Sequence, residues 1–167
     1  MIETLNKQLI FHAKDIVEKR LYYLNQISLY VNLHFSAIDI VDGHVDLVYI
    51  SKFNKQAYIE ELSKRLSSSI QLEVLARQAL FGPHRDDFKF EISGKESSYF
   101  FSKGTNRILC FLYKISQAVL SKEALDVPTI LLLDEPFSEV HAYYKHKLVN
   151  NLPEHIQTIY TTTQENE

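Results

Sequence analysis

The stretch Thr129–Val140, TILLLDEPFSEV, decides how this 167-residue chain is read. Its unbroken aliphatic run, Ile130–Leu133, is the pattern of a strand buried on both faces of a parallel sheet. Such a strand delivers the residues after it to the C-terminal edge of the sheet, where α/β folds bind ligands. Here those residues are Asp134 and Glu135. Asp134 is suited to a magnesium ion, a hard cation that takes oxygen ligands. Glu135 is suited to polarise a water in phosphoryl transfer. A buried strand ending in a solvated acidic turn has the same local pattern.

The surroundings add order. Upstream lies FFSKGTNR, Phe100–Arg107, and then a predicted helix from Thr105 to about Lys122 with Ile108, Leu112, Ile115 and Val119 on one face. Ser102 and Gly104 fall at its N-terminus, where free backbone N–H groups and the macrodipole favour an anion. An ordinary Ser/Gly helix cap is the alternative. Downstream come Ser138-Glu139, a predicted helix Tyr143–Asn151 stopped before Pro153, and a strand in HIQTIYTTT that ends at Thr161, Thr162 and Thr163. The succession of parts is more specific than any one of them.

The first half reads differently. Ile10, Ala13, Val17, Leu21 and Leu24 step by three and four, which predicts a helix over about 4–34. Ile38 and Ile40, then Asp42-Gly43, then Val45, Leu47 and Tyr49 predict a β-hairpin. A helix over 54–68 presents Tyr58, Leu62 and Leu66, and a short one covers 71–79. Gly82-Pro83 forces a turn, and His84, Arg85, Asp86 and Asp87 follow as a polar loop. A second hairpin turns at Ser93-Gly94. The fold expected is α/β: a helical arm with a small hairpin over 1–80, then an incomplete nucleotide-binding sheet over 81–167.

Composition bounds the function. With 46% hydrophobic and 23% charged residues the chain is globular, and a net charge of -3 argues against a surface built wholly for polyphosphate. The single cysteine, Cys110, excludes an internal disulfide and is expected inside a helix core. No secretory leader is evident in MIETLNKQLI, and no apolar run approaches the roughly 18 residues of a membrane span. A cytoplasmic protein is expected. His141, His146 and His155 lack the spacing of a helical zinc site. Lys52, Lys55, Lys64 and Arg65, with Phe53 and Tyr58 among them, suit contact with a DNA backbone and its bases. Glu60 and Glu61 dilute that patch, so a solvated helix face stands beside it. No G-x-x-x-x-G-K-[ST] phosphate loop is present.

The strings GPHRDDF, FSKGTNR, LLLDEPFSEV and TTT resemble, in this order and spacing, the C-terminal half of the RecF family of bacterial DNA replication and repair proteins. These are ABC-type ATPases related to SMC proteins. The resemblance covers nearly the whole chain. It implies that residues 1–80 are an arm and 81–167 the second lobe of an ATPase head. Ser102, Lys103 and Gly104 would be the signature motif that meets the γ-phosphate of ATP held by a partner subunit. Asp134 would be the Walker B magnesium acid and Glu135 the catalytic base. Ser138 and Glu139 would belong to the loop crossing the dimer interface, and Thr162 and Thr163 to the switch region. His84, Arg85, Asp86 and Asp87 would lie near the active edge of the head, without an assigned role. The family's ATP-driven homodimer clamps DNA at gapped or single-strand/double-strand junctions. It works with recombination mediator proteins that load a recombinase.

The chain departs from the family pattern at several points. Thr105 and Asn106 replace glutamines, Val140 and His141 replace Leu-Asp, and Gln164 replaces an acid. Because the chain has no G-x-x-x-x-G-K-[ST] loop, the implied ATP and magnesium site needs a phosphate loop from an N-terminal lobe or another polypeptide. The chain is expected to be a fragment or a shortened relative. A non-catalytic module that binds a repair mediator or DNA without nucleotide is the alternative.

Overall fold

The computed structural model describes residues 2–162, which form six helices and five short strands in two small sheets. The mixed α/β class expected from the sequence is present. The first helix, α1 (Ile2–Ile38), buries Ala13, Val17, Leu24, Ile27, Val31, Phe35 and Ile38. Their spacing keeps them on one face. Exposed pairs Lys14–Glu18 and Lys19–Asp15 lie one turn apart on the solvent side and contribute a few tenths of a kcal/mol at most.

The hairpin expected at Asp42-Gly43 does not form. Ile38 is helical and fully buried, continuing the Val31–Phe35 stripe, so the helical step prevails over the two-residue alternation with Ile40. Asp39 then stops α1 in the left-handed conformation (φ 58). The Asp-Gly pair instead leads from α1 into strand β1 (Val45–Ile50). Three side-chain bonds fasten this junction. Asn32 Nδ2 and Ser28 Oγ donate to Val45 O (2.6 and 2.9 Å), and Val45 N–H donates to Asn32 Oδ1 (2.7 Å).

Helices α2 (Tyr58–Ser68) and α3 (Ile70–Ala76) follow, and α2 buries Tyr58, Leu62 and Leu66 as expected. Strands β2 (Asp87–Ile92) and β3 (Lys95–Glu96) make the second hairpin, and the sheet order is β1-β2-β3. Ser93 (φ 50) and Gly94 (φ 75) form its turn, with Ile92 opposite Lys95. Two left-handed residues between antiparallel strands are the type I′ geometry. The second arm is only two residues long before the chain enters α4 (Ser97–Phe100).

Helix α5 (Lys103–Leu125) buries Ile108, Leu112, Ile115 and Val119, the face expected. Cys110 corrects one expectation, because it is exposed on the opposite side of α5. Strand β4 (Ile130–Leu133) runs parallel to β5 (Gln157–Tyr160), with α6 (Ala142–Val149) in the crossover. β4 is not buried on both faces. Leu131 and Leu133 point inward, whereas Ile130 and Leu132 are 56% and 70% exposed, as is Ile159 opposite Leu132. The described elements cover one face of this sheet only.

Contacts divide the chain into two units that interleave in sequence. One holds the chain up to Leu24 together with Val48–Lys89. Its core is formed by Ala13, Val17, Tyr49, Tyr58, Leu62, Leu66 and Phe81. The other holds Asn25–Leu47 and the chain from Phe90 onward. Its core joins the end of α1 to the inner face of α5, the inward residues of β4, and Phe137, Val140, Leu148 and Ile156.

Candidate functional site

In the second unit, β4 ends at Leu133 and presents Asp134 and Glu135, both exposed. The parallel register sets Leu133 opposite Tyr160. The next residue of each strand then meets its counterpart, and Thr161 N–H donates to Leu133 O (3.0 Å). Thr161 Oγ1 donates to Asp134 Oδ1 (2.7 Å) and accepts from Glu135 N–H (2.9 Å). One hydroxyl thereby orients the first acid and holds the backbone of the second. Glu135 itself is in the left-handed conformation (φ 44).

The start of α5 forms a second cluster. Ser102 is the N-cap, and its Oγ accepts from Thr105 N–H (3.1 Å) and pairs with Thr105 Oγ1 (2.9 Å). This satisfies one of the orphan donors of the first turn. Asn106 Nδ2 donates to Ser97 O and Ser102 O (3.0 Å each). Thr105 and Asn106 are therefore tied into the start of α5. The Ser138–Glu139 loop lies against this helix start. A Cβ on Gly104 would stand 2.9 Å from Glu139 O, so only glycine admits the loop so close. Lys103 Nζ is 3.5 Å from Glu139 Oε1, and Arg107 Nη2 donates to Ser138 Oγ (2.5 Å).

The structure thus joins Asp134 to Glu135 through Thr161, and Ser102–Gly104 to Ser138–Glu139. Thr161 and Arg107 are the contacts that the sequence reading missed. Thr162 and Thr163 were expected to form the switch, and Thr163 lies outside the described residues. The β4–β5 register is the signal that points to Thr161.

His84, Arg85, Asp86 and Asp87 lie in the first unit, where their contacts are internal. Pro83–Arg85 form a single 3-10 turn. Arg85 donates to Ala79 O and Gln78 Oε1, and His84 Nε2 is 3.1 Å from Ala79 O. Asp86 Oδ2 accepts from both Tyr49 OH and Tyr58 OH at 2.6 Å. Burial, then the Asp86 bond, raises the Tyr49 hydroxyl to about 12, and the same causes raise Tyr58 further. Asp87 Oδ1 accepts from Phe88 N–H (2.8 Å). In the same unit the Lys52 and Arg65 cations sit over the Phe81 ring, 5.6 and 4.9 Å from its centroid. Lys64 pairs with Glu60 (2.6 Å), and Lys55 is exposed. Among the described residues no helix is long and apolar enough to cross a membrane.

A parallel strand ending in paired acids, followed by its loop and lying near a serine-capped helix start, makes this unit a mixed α/β fold with its exposed acids at the C-terminal edge of the sheet. The relatives and solved structures that this chain resembles carry the name RecF. The chain is RecF-like along nearly its whole length. It is 34% identical over 164 residues to DNA replication and repair protein RecF of Moorella thermoacetica, covering 98% of this chain and 43% of that protein. A RecF from Staphylococcus aureus is 30% identical over 169 residues, covering 98% and 46%. The chain spans less than half the length of these curated relatives. Among solved structures, the recombination mediator protein RecF-ATP in the RecFOR pathway superposes with a TM-score of 0.72 at 23% identity. That likeness covers 99% of this chain and 45% of the other. RecF-ATPrS superposes at 0.67 and 24% identity, covering 95% and 44%. No protein-family model matches the chain.

Proposed function

We propose that this chain supplies the second half of a composite ATPase site in a RecF-like DNA repair protein. The observation that carries the proposal is the Thr161 hydroxyl, which binds Asp134 and the Glu135 amide together at the C-terminal edge of a parallel sheet. Magnesium fits the donor set. It takes one or two carboxylates and completes its shell with water and substrate phosphates. Asp134 offers such an exposed carboxylate, and no cluster of three or more metal-ligating side chains exists among the described residues. Bound there, the ion would neutralise charge on the transferring phosphate.

The chain's own groups do the rest. Asp134 would hold that ion while Thr161 keeps its other oxygen oriented. Glu135 would align the attacking water and accept its proton. Ser102 and the free amides of the first turn of α5 would receive the γ-phosphate of ATP held by a partner head. Gly104 keeps that helix end close to the Ser138–Glu139 loop. The phosphate loop would come from the first lobe, in line with relatives more than twice as long.

We read residues 1–80 as the arm and 81–167 as the lobe, in a cytoplasmic protein. The complete protein would form an ATP-dependent homodimer on DNA and act with recombination mediator proteins. Lys52, Lys55, Lys64 and Arg65 are the candidate DNA contacts; Lys52 and Arg65 both sit over the Phe81 ring. A second reading, a module that binds a mediator or DNA without nucleotide, is favoured by the Ser102 hydroxyl being engaged by Thr105.

The test is Glu135→Gln in the complete, loop-bearing protein. Hydrolysis should be lost while ATP-dependent dimers persist. Unchanged turnover would remove Glu135 as the base. Calorimetry of Mg-ATP with wild-type and Glu135→Gln complete protein separates the readings, since the module predicts no binding by either.

A further inference from the structure

The loop between β4 and α6 holds two non-glycine residues, Glu135 (φ 44) and Glu139 (φ 62), in the left-handed region. Such a conformation is disfavoured by the Cβ and persists where surrounding contacts impose it. On its inner side the loop is anchored by Phe137 and Val140, both buried. The Phe137 ring packs against Phe111 and Tyr160, at 5.5 and 5.3 Å between centroids. On its outer side the anchors come from α5. Lys103 and Arg107 stand one turn apart, so both face the loop. Lys103 reaches Glu139 at 3.5 Å, but the lysine side chain is 85% exposed and solvent screens the pair. Arg107 makes the directed contact, a guanidinium N–H donated to Ser138 Oγ at 2.5 Å. Ser138 lies between the two left-handed residues, next to Glu139, and donates its own N–H to Glu135 O (3.2 Å).

From this geometry we propose that Arg107 is a positioning residue. Through Ser138 it fixes the Glu135–Glu139 loop and ties the phosphate-facing start of α5 to the carboxylate that handles the water. Movement of the α5 start is then transmitted to Glu135 by one hydrogen bond between two elements, without Arg107 touching the substrate. The inference rests on the reading of Glu135 as base.

The test uses Arg107→Ala, Ser138→Ala and their combination in the complete protein, with two readouts. Each single change should lower kcat about tenfold, the loss expected of one charged hydrogen bond. KM for ATP should stay within about twofold, because substrate binding is untouched. The double variant should be no slower than the singles, since all three remove one contact. Arg107→Lys, which keeps a donor, should recover part of the loss. Independently of catalysis, hydrogen exchange at the Ser138 and Val140 amides should quicken in Arg107→Ala while the β2–β3 hairpin is unchanged. Wild-type kcat in both single variants, additive losses in the double, or unaltered exchange in this loop would each overturn the role of Arg107. No ATP hydrolysis by the wild-type protein, with faster exchange in Arg107→Ala, would sink the ATPase reading and leave the loop contact standing.

Discussion

Thr161 shows how much one hydroxyl can decide. It is exposed, so its two bonds add little to stability, because water replaces them on loss. Their geometric effect is larger, since they fix the direction of Asp134 and the backbone of Glu135 together. Thr161→Val keeps the branched shape and removes both bonds. In the complete protein we expect kcat to fall about tenfold, with stability reduced by no more than about 1 kcal/mol. Turnover at saturating Mg-ATP, with thermal melting alongside, checks this; wild-type turnover would show that the bridge is ornamental. The strand end before Asp134 and Glu135 and the Ser102 cap were legible in the sequence, because both are local patterns. Thr161 was not. Its role follows from Leu133 standing opposite Tyr160, a register that no local pattern contains. Arg107 was missed for a similar reason, as its partner lies 31 positions away.

Among the elements, long helices were legible and strand context was not. The Tyr58–Leu62–Leu66 and Ile108–Leu112–Ile115–Val119 faces are helical steps, and both are buried. Ile38 fits two periods at once, and the helix claims it because Val31 and Phe35 are already on that face. The run Ile130–Leu133 was read as doubly buried because parallel strands usually have helices on both sides. Here one side has no cover among the described elements. At the start of α5, two opposing effects bear on Gly104→Ala. Helix propensity alone favours alanine by up to about 1 kcal/mol. The new Cβ, however, would stand 2.9 Å from Glu139 O, a backbone atom of the packed loop. Moving that loop away from α5 costs more, and we expect a net loss of about 1–3 kcal/mol. Equilibrium denaturation decides the sign, and a variant more stable than wild type would show that the loop yields freely.

Across the whole molecule, the division into two units was the least legible feature. Each unit draws on stretches far apart in sequence, which a reading along the chain, with its change of pattern at Gly82-Pro83, does not bring together. The polar string Gly82–Asp87 was read as an open loop, yet Asp86 gathers two buried hydroxyls in the first unit. This arrangement has a pH signature. The folded state holds the Tyr49 proton more tightly than the unfolded chain, with its hydroxyl raised from 10.0 to about 12, and Tyr58 moves the same way. The folded state therefore binds more protons in that window, so stability is full below pH 10 and falls as pH rises toward 12. Denaturation at stepped pH should show this loss, and Tyr49→Phe with Tyr58→Phe should flatten it. An equal slope in the double variant would place the alkaline weakness elsewhere.

The shared carboxylate also bears on how the chain emits light. It contains ten tyrosines and no tryptophan, so its ultraviolet emission is that of phenols alone. An excited phenol readily gives its proton to a bonded carboxylate and goes dark. Tyr49 and Tyr58 are thus expected to be the dim members of the set while Asp86 holds them. Loosening of the first unit should then brighten the protein, an internal lamp that needs no added dye.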